Sequence, residues 1–168
     1  MEKSSGILVY RYKEGNLQVL LGKCGGPYWE KVTKGAWNIP KGHIEGNENI
    51  FETAKREFYE ETSLILPESG NYIYLDESVT KSKKHVYIYA IEYDFTYPYQ
   101  SDAVIIHSNT CTIEWPKKSG NKILVPELSE AKYFYINDAK EYIFNYQKIF
   151  LERLELELGN KNESVNFI

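Results

Sequence analysis

The stretch Gly42-His-Ile-Glu-Gly-Asn-Glu48-Asn-Ile-Phe-Glu-Thr-Ala-Lys-Arg56-Glu57-Phe-Tyr-Glu60-Glu61-Thr-Ser-Leu64 decides how this chain is read. Phe51, Ala54 and Phe58 recur at spacings of three and four, the signature of one helical face. Asn49 followed by Glu52 fits a capping box, so a helix is expected from Asn49 to Thr62. At about 100° per residue, Glu57, Glu60 and Glu61 fall within an arc of about 100° beside that apolar stripe. Like charges so spaced destabilise a bare helix, and the ordinary meaning of such a run is a solvated acidic face. Hard cations such as Mg²⁺ or Mn²⁺ offset the repulsion through oxygen ligands. Carboxylates at the edge of a core therefore also point to metal-assisted phosphate chemistry, in which the cation lowers the pKa of a water.

Upstream of the helix the residues read as strands. Gly6-Ile-Leu-Val-Tyr-Arg-Tyr12 and Leu17-Gln-Val-Leu-Leu-Gly22 are β-rich runs joined by a turn at Glu14-Gly15-Asn16. Trp37 to Gly42 is a short apolar stretch stopped by Pro40 and Gly42. Downstream, Asn71–Thr80 and Lys84–Asp94 return to strand character, with Val86, Ile88 and Ala90 alternating against Tyr87, Tyr89 and Ile91. Residues 96–110 form an irregular excursion, Cys111–Trp115 a short strand, 116–122 a basic loop and Tyr133–Ile136 the last strand. Asn137 or Asp138 offers a helix cap. Glu141 to Leu158 reads as a helix packing through Ile149, Leu151, Leu154, Leu156 and Leu158. Strands, helix, strands, helix is the order of a mixed sheet packed between helices, an α/β arrangement of the α+β type. One domain is expected across 1–168, with its core at about 5–157 and a frayed tail over 159–168.

Composition narrows the classes. The chain of 168 residues carries a net charge of −4, against expectation for a protein that grips long nucleic acid through its phosphates. Its 15 Tyr, 7 Phe and 3 Trp fit an aromatic core with many half-buried strand positions. Cys24 and Cys111 have no metal-site or disulfide-framework spacing and suit a reducing compartment. Residues 1–6 lack a signal-peptide apolar stretch and no window is long enough to span a membrane, so a cytoplasmic location is expected.

The spacing Gly-x5-Glu-x7-Arg-Glu-(apolar)-x-Glu-Glu-x-x-(apolar), from Gly42 to Leu64, resembles the Nudix box. Six such matches arise by chance about once in ten million start positions, taking each residue at about 7% usage. The resemblance implies a loop–helix–loop on an α/β/α sandwich. It implies that Glu57, Glu60 and Glu61 hold divalent metal, Mg²⁺ with Mn²⁺ as a substitute, joined by the Gly42 carbonyl. It further implies that Glu48 pairs with Arg56 to hold the loop against the helix. One departure stands out: Ser63 occupies the place where the family pattern has a glycine, typically a helix C-cap. Gly25-Gly-Pro-Tyr-Trp29, Gly35 to Gly42, Ser108-Asn-Thr110, Glu114-Trp-Pro-Lys-Lys-Ser-Gly120 and Pro126-Glu-Leu128 resemble a bacterial Nudix subgroup described as nucleoside triphosphate pyrophosphohydrolases.

That resemblance implies an enzyme hydrolysing a diphosphate linkage in nucleoside diphosphate-X compounds, with nucleoside triphosphates or dinucleoside polyphosphates first in line. The alternatives are an RNA 5′-end pyrophosphohydrolase, for which Lys81, Lys83 and Lys84 form a local basic patch, and a non-catalytic nucleotide-binding regulator. The partner is then a small nucleotide, with no membrane, long nucleic acid disfavoured, and a homodimer allowed by the family's habit. Catalytic candidates are Glu60, Glu61 and Arg56, with Glu127 as a base from outside the box helix. Lys41, Lys117 and Lys118 are candidates for holding phosphate. His43 is a loop residue, and His85 and His107 have no partners at metal spacing. Trp29, Trp115 and the tyrosine-rich strands leave several aromatic candidates for stacking on a base.

Overall fold

The structure, a computed structural model, describes residues 2–166, with side chains through Gly159. β1 (Lys3–Lys13) and β2 (Asn16–Cys24) form the expected hairpin, with Glu14 and Gly15 both at positive φ in its turn. Such a turn matches the twist of the two strands it joins. Every residue of β1 from Ser5 to Arg11 is buried, so this strand is covered on both sides. Its alternation sorts the core: Leu8 and Tyr10 belong to one cluster, Ile7 and Val9 to the other.

The remaining elements are β3 (Trp37–Asn38), β4 (Lys41–His43), α1 (Ile50–Thr62), β5 (Ile73–Val79), β6 (His85–Glu92), β7 (Ala103–Val104), β8 (Thr110–Glu114), β9 (Lys122–Pro126), β10 (Leu128–Tyr135), α2 (Ile136–Tyr142) and α3 (Lys148–Asn166). The sheet runs β5-β6-β1-β2-β10-β7, with β1 and β6 parallel and its other pairings antiparallel. Ala54 and Phe58 of α1 cover the Ile7/Val9 face, while Phe150, Leu151 and Leu154 of α3 cover the Leu8/Tyr10 face. This is the expected sandwich with its mixed sheet between helices.

A fork in the sheet positions the site. β1 pairs with β2 only from Tyr10 to Lys13; its first residues, Ser4 to Gly6, pair instead with β4. The far end of β2 likewise pairs with β3, at Gly22 and Lys23. The segment 36–43 is therefore wedged between two diverging strands, tied by Cys24 N–H to the Ala36 carbonyl and Ile7 N–H to the Pro40 carbonyl.

Several expectations need correction. The helix expected from Glu141 to Leu158 is broken: α2 ends at Tyr142, a 3₁₀ turn spans Asn145–Gln147, and α3 begins at Lys148. Tertiary bonds impose the break. Phe144 N–H donates to the Trp37 carbonyl, and the fully buried Gln147 accepts from Ile39 N–H at 2.8 Å while donating to Asn38 Oδ1 at 3.1 Å. Asn137 and Asp138 do not cap; they lie inside the first turn of α2, whose N-cap is Tyr135. Ile149 and Leu156 are exposed, because the α3 face that meets the sheet is set by Phe150, Leu151, Leu154 and Leu158. The last strand starts five residues before Tyr133, and the basic loop leads into β9, which pairs with β8 as a hairpin separate from the main sheet. Of the tail expected to fray, 159–168, the backbone to Asn166 belongs to α3, and residues 167–168 lie outside the described residues.

Candidate functional site

α1 starts as the sequence predicts. Asn49 Oδ1 accepts from Glu52 N–H at 2.8 Å, and Glu52 returns the bond to Asn49 N–H. This satisfies donors at a helix start that has no other partners. At the other end Ser63 takes the left-handed conformation, φ 59°, that usually selects glycine. Its hydroxyl donates to the His107 carbonyl at 2.6 Å, while His107 N–H donates to the Thr62 carbonyl. The departure from the family pattern is thus accommodated by a side-chain tie that glycine could not make.

Between these caps the box side chains gather around Arg56. Its Nε and Nη2 hold both oxygens of Glu48, at 2.7 and 3.0 Å, and Nη2 also donates to the His43 carbonyl. Nη1 donates to Glu57 at 2.8 Å and to Glu60 at 3.0 Å. The Glu48 carboxyl, hydrogen-bonded by Arg56 and by the Glu45 N–H, is drawn down to about 2. Every guanidinium N–H is engaged, so Arg56 positions carboxylates and has no donor free for a ligand.

Glu57, Glu60 and Glu61 line a cleft of about 470 Å³ over the wedge, and of the three only Glu61 has no bond to Arg56. Glu57 and Glu61 are buried, and burial raises both carboxyls, Glu61 to about 8. Glu61 accepts from Lys41 N–H at 3.1 Å and lies near the Lys41 ammonium, which opposes the rise, and near Glu127, which adds to it. Gly42 is needed here for space, since a Cβ at that position would overlap the Glu57 carboxylate. Glu127 is held in the cleft wall by its backbone, donating to the Asn109 carbonyl and accepting from Gly25 N–H.

Among the predicted site residues, the cleft brings together Lys41, Gly42, Glu57, Glu60, Glu61 and Glu127, with His43 at its edge. Lys117 lines a neighbouring cleft, and Lys118 sits in the exposed turn of the β8–β9 hairpin, away from both. His85 bonds Glu77 at 2.8 Å, outside the site. The sequence reading missed Phe144 and Tyr146, which line the cleft because of the break after α2, and Asn38 of β3; Lys84 of the basic patch lines it as well. Asn109 also lines it; its one available signal was its place in Ser108-Asn-Thr110.

The donor set suits a hard divalent cation: it is all oxygen, and two of its carboxylates are desolvated with too little positive charge beside them. Arg56 holds Glu60 and one oxygen of Glu57, so among the described residues the glutamates do not already converge as a closed ring of ligands. None of the helices described is long and apolar enough to cross a membrane.

Fold and cleft together define an α/β/α sandwich protein with an acidic helix facing a fork in its sheet. The chain belongs to the NUDIX domain family, whose model matches residues 2–154. Among solved structures it resembles a Caenorhabditis elegans Ap4A hydrolase in a binary complex, at 19% identity and TM-score 0.55, covering 95% of this chain and 99% of that one. It also resembles the NUDIX domain of Shewanella oneidensis NrtR complexed with ADP ribose, at 16% identity and TM-score 0.59, covering 93% and 87%. A mutT/nudix family protein from Listeria innocua matches at 15% identity and TM-score 0.62, over 95% of each chain. No curated protein matches the chain.

Proposed function

We propose that this protein is a Mg²⁺-dependent pyrophosphohydrolase acting on nucleoside diphosphate-X compounds, nucleoside triphosphates or dinucleoside polyphosphates first. The observation that carries this reading is that Glu57, Glu61, Glu127 and Gly42 line one cleft together with Lys41. Glu57, Glu60 and Glu61 would hold Mg²⁺, with the Gly42 carbonyl beside them; bound there, the cation would neutralise phosphate charge and acidify water. Mn²⁺ fits the same oxygen donors.

The chain's own residues supply the rest. In the hydrolysis a water oxygen bonds to one phosphorus, and the bridging oxygen leaves with the other. The water proton passes to a carboxylate, for which Glu127 and Glu61 face each other across the cleft. Lys41 lies where it can pair with a phosphate oxygen. Arg56 and Glu48 keep the loop and helix in register. The likeness to an Ap4A hydrolase and to a NUDIX domain complexed with ADP ribose supports a nucleotide-sized substrate.

Incubation with nucleoside triphosphates, dinucleoside polyphosphates, nucleotide sugars and triphosphorylated RNA, with Mg²⁺ or Mn²⁺, tests the reading by product analysis. Glu61→Gln is expected to lower kcat by about a hundredfold or more. Turnover of no compound, or turnover indifferent to Glu61→Gln, would sink it. Lys84 in the cleft wall is the observation that favours an RNA 5′ end as a second reading, and the triphosphorylated RNA in the panel decides that case.

A further inference from the structure

A second cleft, of about 300 Å³, adjoins the acidic one and shares Cys24 and Glu127 with it. One wall is the 3₁₀ turn Pro27–Trp29, presenting Tyr28 and Trp29. The other is the β8–β9 hairpin, presenting Ile113, Trp115 and Val125. Close backbone contact sets the gap between them. A Cβ on Gly25 would overlap the Pro126 carbonyl, and Gly26, at φ 96°, is packed against Val125. Lys117 reaches from the hairpin to lie over the Tyr28 ring, 4.8 Å from its centroid. Trp29 continues the aromatic surface toward the acidic cleft, meeting Phe144 edge-on at 5.4 Å, and Phe144 lines that cleft.

A ligand filling both spaces needs a flat apolar end and an anionic chain. From this we infer that the Tyr28/Trp115 cleft is the subsite for the nucleobase of the substrate, with Lys117 placed to follow the first phosphates. The inference rests on the pyrophosphohydrolase reading for the other end of the ligand. It also gives a role to two sequence motifs that the acidic cleft leaves unused, Gly25 to Trp29 and Glu114 to Gly120: they are the two walls. Tyr28, half exposed at 49%, has a ring face available for stacking once Lys117 moves aside.

The test separates base recognition from hydrolysis by using EDTA-treated protein. AMP, GMP, CMP and UMP are titrated against tryptophan fluorescence, with ribose 5-phosphate as the base-free control. Saturable quenching by at least one nucleotide and none by ribose 5-phosphate is expected. Tyr28→Ala and Trp115→Ala, measured by equilibrium dialysis, should each weaken that nucleotide by about tenfold. Trp115→Phe should retain most of the affinity, and unfolding midpoints close to wild type would show that the variants fold. Equal binding of ribose 5-phosphate, no nucleotide binding, or unchanged affinity in both alanine variants would overturn the assignment. Base binding without turnover of any compound would overturn the hydrolase reading alone. Equal kcat/KM for nucleoside and base-free polyphosphates would overturn the subsite alone.

Discussion

Arg11 and Arg56 each engage all five guanidinium N–H groups, yet they hold opposite kinds of neighbourhood. Arg11 is 2% exposed and bonds Gln18, Asp94, Thr96 and the carbonyls of Gln100 and Ser101, with Tyr133 stacked beneath at 3.7 Å. Asp94 is the one carboxylate it hydrogen-bonds, so the charges there nearly cancel. The result pins the irregular 94–102 segment to the edge of the sheet. Arg56 is more open, and it bonds three carboxylates with a single positive charge. Glu61 and Glu127 add to the surplus nearby. One arginine closes a structure; the other organises a surplus of negative charge, which the proposed Mg²⁺ would offset.

The contrast can be broken most severely at Arg11. Arg11→Ala leaves a desolvated carboxylate and amide unpaired, and denaturant titration should show about 3–5 kcal/mol lost. Turnover per folded molecule should stay near wild type. Arg56→Ala should do the reverse: a stability change of about 1 kcal/mol or less at so open a site, with Mg²⁺ affinity or activity reduced about 10–100-fold. Comparable losses of stability in both variants would erase the distinction. Ser63→Ala keeps the left-handed backbone and loses the bond to His107, for about 1 kcal/mol. Ser63→Gly removes the strain together with the bond, so its unfolding free energy should lie closer to wild type.

The smallest effect is one of pH. Burial works against ionisation of Asp94, but hydrogen bonds from Thr96 and Arg11 outweigh it and hold the carboxyl below its ordinary 3.8. A carboxyl lowered on folding stabilises the fold above its unfolded pKa and loses that contribution as pH falls through the folded value. The stability gap between wild type and Asp94→Asn should therefore be widest near neutrality and narrow below about pH 4. A gap that persisted at pH 3 would show the ion pair to be incidental.

What could be read in the sequence was what neighbours in the chain decide. The capping box at Asn49, the carboxylate arc, the Glu48–Arg56 pair and the alternation of β6 all depend on short spacings, and each is present. The break after Tyr142 depends instead on Trp37 and Ile39, about a hundred positions away, so the helical period runs through it unmarked. Arg11 sits in the β-rich run Gly6–Tyr12, and no short spacing marks that the 94–102 segment folds over it. Glu127, the candidate base from outside the box helix, lies between β9 and β10 in the cleft wall. That Tyr146 and Phe144 would border it had no local signature at all.

The hydroxyl of Ser63 begins a relay of backbone bonds that acts as a caliper. Ser63 grips residue 107, Asn109 N–H reaches the Glu60 carbonyl, Glu127 N–H reaches the Asn109 carbonyl, and Gly25 N–H reaches the Glu127 carbonyl. The end of the acidic helix, the carboxylate facing it and the loop carrying the aromatic wall are thus three jaws of one gauge.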